Sequence, residues 1–233
     1  MIAAWSASRL SVYETCPMRA KLQCIDRIKE PDRGPPPKGL TEWHNDRGTR
    51  VHDYAEDFVR GNVTILIPEL KDFEHELIKL RSQFKDGNVV LEQMWCYNDA
   101  WQPVGDQDYA ATWLRVKLDA LNFLAEDEAV VIDYKTGGKK KKVDEVNSPQ
   151  LNLYALALKE NPDYGKYPSK AVFFYVEKPE GEQLFEYEID VEKVNEMKNI
   201  FEGYVEAIQN KEFVATPEMF TCKFCEYSDI CED

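Results

Sequence analysis

Val130-Val131-Ile132-Asp133-Tyr134-Lys135-Thr136-Gly137 is the stretch on which the fold turns. Three β-branched apolar residues lead into an alternating segment closed by a glycine, the pattern of a buried strand. Alternation puts Asp133 and Lys135 on one face of that strand and Tyr134 on the other. A carboxylate and an ammonium two residues apart, at the end of an apolar strand, can divide a hydrolysis between them. The carboxylate holds a hard cation, and the amine orients water or stabilises charge on a phosphate. Read alone, the same residues also fit an ordinary ion pair at a strand end.

Immediately upstream, Trp113 to Phe123 reads as a strand joined to Ala129–Tyr134 by the acidic turn Glu126-Asp127-Glu128, which suggests a hairpin. Antiparallel pairing then brings the carboxylate of Asp119 beside that of Asp133. Two carboxylates so close repel and desolvate poorly unless a divalent ion joins them. The other reading of Asp119 is a solvated strand-edge residue. Downstream lies a Gly–Lys loop with the basic run Lys139 to Lys142, which either follows a phosphate backbone or is simply solvated. Pro149 opens a helix through Lys159. On it Gln150 and Tyr154, four residues apart, share a face and can both hydrogen-bond phosphate or sugar. A helix start with a partly buried tyrosine is the plainer alternative.

Farther out, Ser8–Tyr13 reads as a short helix, and Pro17 opens a second running to about Ile28. The segment Glu30–Leu40 is rich in proline and glycine and reads as a loop. Glu42–Arg60 is helical and stopped by Gly61. Pro68 opens a helix whose Leu70, Phe73, Leu77, Leu80 and Phe84 form an apolar stripe closed by Gly87. Val89–Tyr97, Ala171–Glu177 and Gln183–Ile189 read as strands, and Val191–Asn210 as a long helix. Helices, a strand meander, a helix, two strands and a helix predict an α/β sandwich around a central mixed β-sheet flanked by helices.

The chain has 233 residues, 43% of them hydrophobic and 12% aromatic, which is enough for one large domain with a filled core and excludes global disorder. No apolar run approaches the ~20 residues of a membrane helix, and no secretory leader is visible, so a cytoplasmic protein with no membrane partner is expected. In that compartment the six cysteines read as metal ligands or buried thiols rather than disulfides. A net charge of −14 opposes nucleic acid at long range, although local cationic clusters and bound divalent ions can reverse the field where a phosphate sits.

Three further groups carry candidate chemistry. His52 shares an inward helical face with Ala55 and Val59, as a metal ligand beside the two carboxylates or as a satisfied core histidine. His44 and His75 read as surface residues. Glu92 is a possible auxiliary carboxylate but reads better as solvent-facing. Cys222-x-x-Cys225 with Cys231 gives three thiolates within ten residues, and Cys16 offers a fourth from the far end. Paired zinc knuckles are absent. Cys24 and Cys96 read as core thiols.

In combination these motifs resemble the PD-(D/E)XK nucleases, specifically the RecB-like exonuclease branch. Asp119 followed by Asp133-Tyr134-Lys135 is similar to the family's catalytic core, and Gly48-Thr49-Arg50-Val51-His52 to its Gly-x-x-x-His helix. Gln150-Leu151-Asn152-Leu153-Tyr154 resembles its Gln-x-x-x-Tyr helix. Ser6 through Tyr13-Glu14-Thr15-Cys16-Pro17 resembles its N-terminal Ser…Tyr-x-x-Cys-Pro segment. Val116 stands where the family often has glycine three residues before the first Asp.

The resemblance implies a restriction-endonuclease-like core in a single domain over 1–233, acting as a metal-dependent DNA exonuclease in recombination, repair or phage DNA processing. Asp119, Asp133 and Lys135 would be catalytic. His52, Asp119, Asp133 and the Tyr134 carbonyl would bind Mg²⁺ or Mn²⁺, and Gln150 and Tyr154 would bind substrate. DNA, single-stranded or with free ends, would be the partner, with a recombination or replication protein as a possible second. Cys16, Cys222, Cys225 and Cys231 resemble the ligands of the family's iron–sulfur subset, which includes the AddB nuclease domain and cluster-bearing CRISPR-associated exonucleases. They would hold a 4Fe-4S cluster, with structural Zn²⁺ the alternative, in a clasp formed by 1–30 and 214–233. Rival readings are a non-catalytic DNA-end-binding or recombination-complex subunit of the same fold, and an acidic protein-interaction module.

Overall fold

A computed structural model describes residues 4–31, 34–36, 38–125, 128–137, 149–178 and 183–231. Val130 to Lys135 lie in β6 (Glu128–Lys135), the middle of a five-stranded sheet. Its neighbours are β5 (Ala120–Ala125) and β7 (Lys170–Tyr175), with β1 (Val89–Leu91) and β8 (Leu184–Glu188) at the edges. β6 runs parallel to β7, and every other pair in this sheet is antiparallel, so the sheet is mixed. A parallel pair needs a crossover, which α5 (Pro149–Glu160) supplies.

Period-two alternation builds the layers. Val130, Ile132 and Tyr134 of β6, with Val172 and Phe174 of β7, face α3 (His44–Arg60), a 3₁₀ turn over Pro68–Phe73 and α4 (Glu74–Lys85). Val131, Ala171 and Phe173 point the other way, into a larger core with α1 (Ala7–Thr15), α5 and α6 (Val191–Gln209). The result is the expected α/β sandwich with helices on both faces. Leu70, Phe73, Leu77 and Leu80 are buried as their spacing predicts. Gly61, at φ 91°, ends α3 in the left-handed region that glycine adopts without strain. None of the described helices is long and apolar enough to cross a membrane.

Two expected strands are broken. Val89–Tyr97 divides into β1 and β2 (Met94–Tyr97), and Trp113–Phe123 into β4 (Leu114–Lys117) and β5. β2 and β4 leave the main sheet to form a second sheet of three strands with β3 (Pro103–Val104). The two chains bend together: Leu91 pairs with Ala120 below the bend, and Met94 with Lys117 above it. Between them Glu92 N–H donates to the Asp119 carbonyl at 2.9 Å, and Leu118 N–H to the Gln93 carbonyl at 3.2 Å. The polar pair Glu92-Gln93 interrupts the apolar alternation at this point, and Glu92 takes φ 51°, a conformation uncommon outside glycine.

The helix opened by Pro17 is also shorter than expected. α2 (Pro17–Ala20) passes into a π-helical turn over Lys21–Ile25, and Arg27 leaves it at φ 54°. The first and last parts of the chain are nonetheless fastened directly. Arg19 makes a two-pronged ion pair with Glu226 at 2.9–3.1 Å, Tyr13 OH donates to the Glu212 carbonyl at 2.9 Å, and Tyr227 OH donates to the Ile28 carbonyl at 3.0 Å.

Candidate active site

The site forms where the bent β1–β2 and β4–β5 chains meet the C-terminal end of β6. β5 and β6 are antiparallel with Ala120 opposite Ile132, and continuing that register by one residue sets Asp119 opposite Asp133. Asp119 Oδ2 accepts the Tyr134 N–H at 2.9 Å, which fixes the carboxylate against the β6 backbone. Its other oxygen lies 3.2 Å from His52 Nδ1. The hairpin thus joins the two aspartates as the sequence predicts, and α3 contributes the histidine.

His52 reaches the sheet because α3 approaches closely at Gly48. A Cβ there would lie 3.1 Å from Thr136 Oγ1, tighter than ordinary van der Waals contact, so the glycine of the Gly-x-x-x-His segment sets the helix-to-strand distance. Val51, Ala55, Phe58 and Val59 seat the helix, which leaves His52 at the rim of the buried face.

Glu92 corrects its solvent-facing reading. Its side chain is only 14% exposed, and with His52 and Asp119 it forms the one group among the described residues whose ligand atoms all lie within 4.8 Å of one another. The bend at φ 51° turns it inward, and Lys117 pairs with its carboxylate. The interrupted alternation at Glu92-Gln93 was the available signal.

Burial and charge crowding set the electrostatics. Burial pushes the Asp133 carboxyl up to about 6; Lys135 pulls it down, and Asp119 pushes it further up. Burial likewise raises Glu92, with Lys117 opposing and Asp119 adding to the rise. For His52, burial lowers the pKa, but the hydrogen bond and charge of Asp119, with Asp133 and Glu92 behind it, outweigh burial and leave it raised. Three carboxylates crowded around one imidazole, with Asp133 buried and balanced by Lys135, form a donor set that a divalent cation would relieve.

On the face of β6 that Asp133 shares with it, Lys135 Nζ lies 2.7 Å from Asp133 Oδ2 and donates to Gln150 Oε1 at 2.6 Å. Gln150 Nε2 in turn donates to Asp133 Oδ1 at 3.2 Å and to Tyr154 OH at 2.5 Å. The Gln-x-x-x-Tyr spacing therefore gathers on one helical face two groups that hold the Asp–Lys pair. Tyr134 points the other way, its ring meeting His52 edge-on with centroids 5.8 Å apart.

Cys16, Cys222, Cys225 and Cys231 all line one cavity of about 320 Å³. Their sulfurs do not form a group within 4.8 Å among the described residues. Cys24 and Cys96 are buried, and His44 and His75 are exposed, each as expected. The run Lys139 to Lys142 and most of the acidic turn, Glu126 and Asp127, lie outside the described residues.

No curated protein matches the chain at a significant level. Among solved structures, the crystal structure of SSO0001 is similar at 18% identity and a TM-score of 0.41, covering 98% of this chain and 85% of that one. The model of the PD-(D/E)XK nuclease superfamily matches residues 4–232. That match runs the length of the chain and includes every motif gathered in the site, and the chain therefore belongs to the PD-(D/E)XK nuclease superfamily.

Proposed function

We propose that the chain is a divalent-metal-dependent DNA exonuclease of the RecB-like branch. The observation that carries this reading is the convergence of His52, Glu92, Asp119, Asp133, Lys135 and Gln150 from five separate segments on the end of one strand. One imidazole and several carboxylates suit Mg²⁺ or Mn²⁺. His52, Asp119 and Glu92 would hold the ion, with Asp133 beside them. When bound, it supplies Lewis-acid polarisation of the scissile phosphate and a readily ionised water.

The remaining work falls to the chain. Tyr134 N–H and His52 orient Asp119. Lys135, steadied by Asp133 and Gln150, presents positive charge to the attacked phosphate and orients the incoming water. Gln150 and Tyr154 keep that pair in place and lie where they can also meet phosphate or sugar. The exonuclease assignment, DNA as the substrate, and a role in recombination, repair or phage DNA processing rest on the ordered motifs. A non-catalytic subunit of the same fold would bind DNA ends without cutting them. End-labelled single- and double-stranded DNA, incubated with Mn²⁺ or a chelator, tests the reading. Metal-dependent shortening that disappears in Asp133→Ala is expected; full activity in Asp133→Ala, or no cleavage of any form, refutes it.

We also propose that Cys16, Cys222, Cys225 and Cys231 hold a 4Fe-4S cluster. The shared cavity supports this, as do the Arg19–Glu226 and Tyr227–Ile28 contacts that already draw the two segments together. A colourless anaerobic preparation containing stoichiometric zinc would replace the cluster with the zinc alternative.

A further inference from the structure

Two cavities share Ser8 in their lining. The first, of about 240 Å³, opens on Asp119, Gln150 and Tyr154 and is bounded by Arg115 and Lys117 of β4. The second, of about 390 Å³, is lined by Ser8, Arg9 and Val12 of α1 with Gln23, Cys24 and Arg27. The chain carries 43 acidic against 29 basic residues, so an average surface hollow should be acidic. Among the described residues these two are lined by four cations, and their one carboxylate is Asp119 at the catalytic end.

The cations are arranged for a long ligand. Arg115 Nε is buried with no hydrogen-bond partner, and its guanidinium lies 4.9 Å from the centre of the Tyr109 ring, which is itself 62% exposed. Arg27 is exposed and leaves the π-helical turn through left-handed backbone, while Arg9 projects from α1 and also contacts the Ala4 carbonyl. Lys117 is committed in part to Glu92. Spaced cations beside an exposed aromatic ring are what a single strand of nucleic acid requires: charge for successive phosphates and a face for a base.

We infer that the two cavities form one track for a single nucleic-acid strand, whose scissile phosphate lies at Asp119 and whose farther phosphates lie at Arg115 and then at Arg9 and Arg27. This rests on the nuclease reading above and adds to it the direction in which the substrate leaves the site. It also explains how so acidic a chain holds a polyanion: among the described residues, cations gather along α1 and β4 where the bulk charge is acidic.

The test separates the track from the chemistry. Binding of an end-labelled single-stranded DNA oligonucleotide is measured by anisotropy across a salt series, with chelator present. Hydrolysis of bis(p-nitrophenyl) phosphate with Mn²⁺ is measured alongside. Each phosphate contact on a single strand contributes about 0.7 to the slope of log affinity against log salt. Arg27→Ala, at an exposed position that should not disturb folding, should lower the slope by about 0.7, and Arg9→Gln with Arg27→Ala by about 1.4. Hydrolysis of the small diester should be unchanged in both. A wild type that cleaves, with slope and affinity unaltered in Arg27→Ala and in the double variant, overturns the track alone. A wild type that neither binds the oligonucleotide nor hydrolyses the diester overturns the nuclease reading and the track with it.

Discussion

Asp133→Asn should abolish cleavage and yet stabilise the metal-free protein at neutral pH. Asp133 is 2% exposed, so solvent screens its charge little, and its carboxyl is pushed from an ordinary 3.8 up to about 6. Between those values the folded state keeps a proton that the unfolded state has lost. Stability is therefore fully present below about pH 4, falls as pH rises to about 6, and is level beyond. At roughly 1.4 kcal/mol per pKa unit, a rise of about two units amounts to a loss on the order of 3 kcal/mol. Asparagine cannot ionise and escapes that loss. Near pH 4 both chains present a neutral group to Lys135, so the unpaired amine largely cancels from the comparison.

The assay is urea unfolding of wild type and Asp133→Asn in chelator at pH 4 and pH 7. The stability difference should move by about 3 kcal/mol in favour of the variant between the two pH values. In thermal melts that is about 6–12 °C for a chain of this size. Excess Mn²⁺ should reverse the order, because only the wild type retains its full ligand set. A difference that does not change with pH, or that moves toward the wild type as pH rises, would refute the argument that burial dominates the charge of Asp133.

Glu92→Gln and His52→Ala should each raise the Mn²⁺ concentration needed for half-maximal cleavage, by about tenfold or more, as loss of one ligand from a shared site predicts; an unchanged metal titration for Glu92→Gln returns it to the role of a partner for Lys117. Gly48→Ala should cut cleavage with little loss of stability, because the new methyl pushes α3 away from Thr136, and Thr136→Ala in the same chain should restore activity. If the double variant is no better than the single, the close approach is not what glycine provides. Replacing any one of Cys16, Cys222, Cys225 and Cys231 by Ser should bleach the brown colour expected of anaerobic protein and lower the melting temperature, whereas Cys24→Ser should leave the colour intact.

Much of the site is legible in the sequence because its parts obey local periodicities. Strand alternation sets Asp133 and Lys135 together, hairpin pairing sets Asp119 beside Asp133, and helical spacing aligns Gln150 with Tyr154. Glu92 escapes such reasoning because its position depends on a bend shared by two strands distant in sequence. The Glu92-Gln93 interruption marks a break in Val89–Tyr97, but not that its partner bends at the same level or that Glu92 adopts a positive φ there. The close packing of Gly48 on Thr136 is likewise a contact between helix and strand, invisible until the two layers are stacked. The track along α1 was hidden for a related reason: the bulk charge is acidic, and its four cations come from three segments.

The contacts that tie the two ends have a consequence for synthesis. Tyr13 and its acceptor Glu212 are separated by 199 residues, and Arg19 and Glu226 by 207. A ribosome adding roughly 5–20 residues per second needs about 10–40 s to deliver the second member of each pair. For most of that interval Tyr13, buried in the finished protein, lacks the C-terminal segment that receives its hydroxyl. These two ties on α1 and α2 are therefore among the last to close, which makes this segment a natural place for a chaperone to hold the nascent chain and for a stalled chain to be cut.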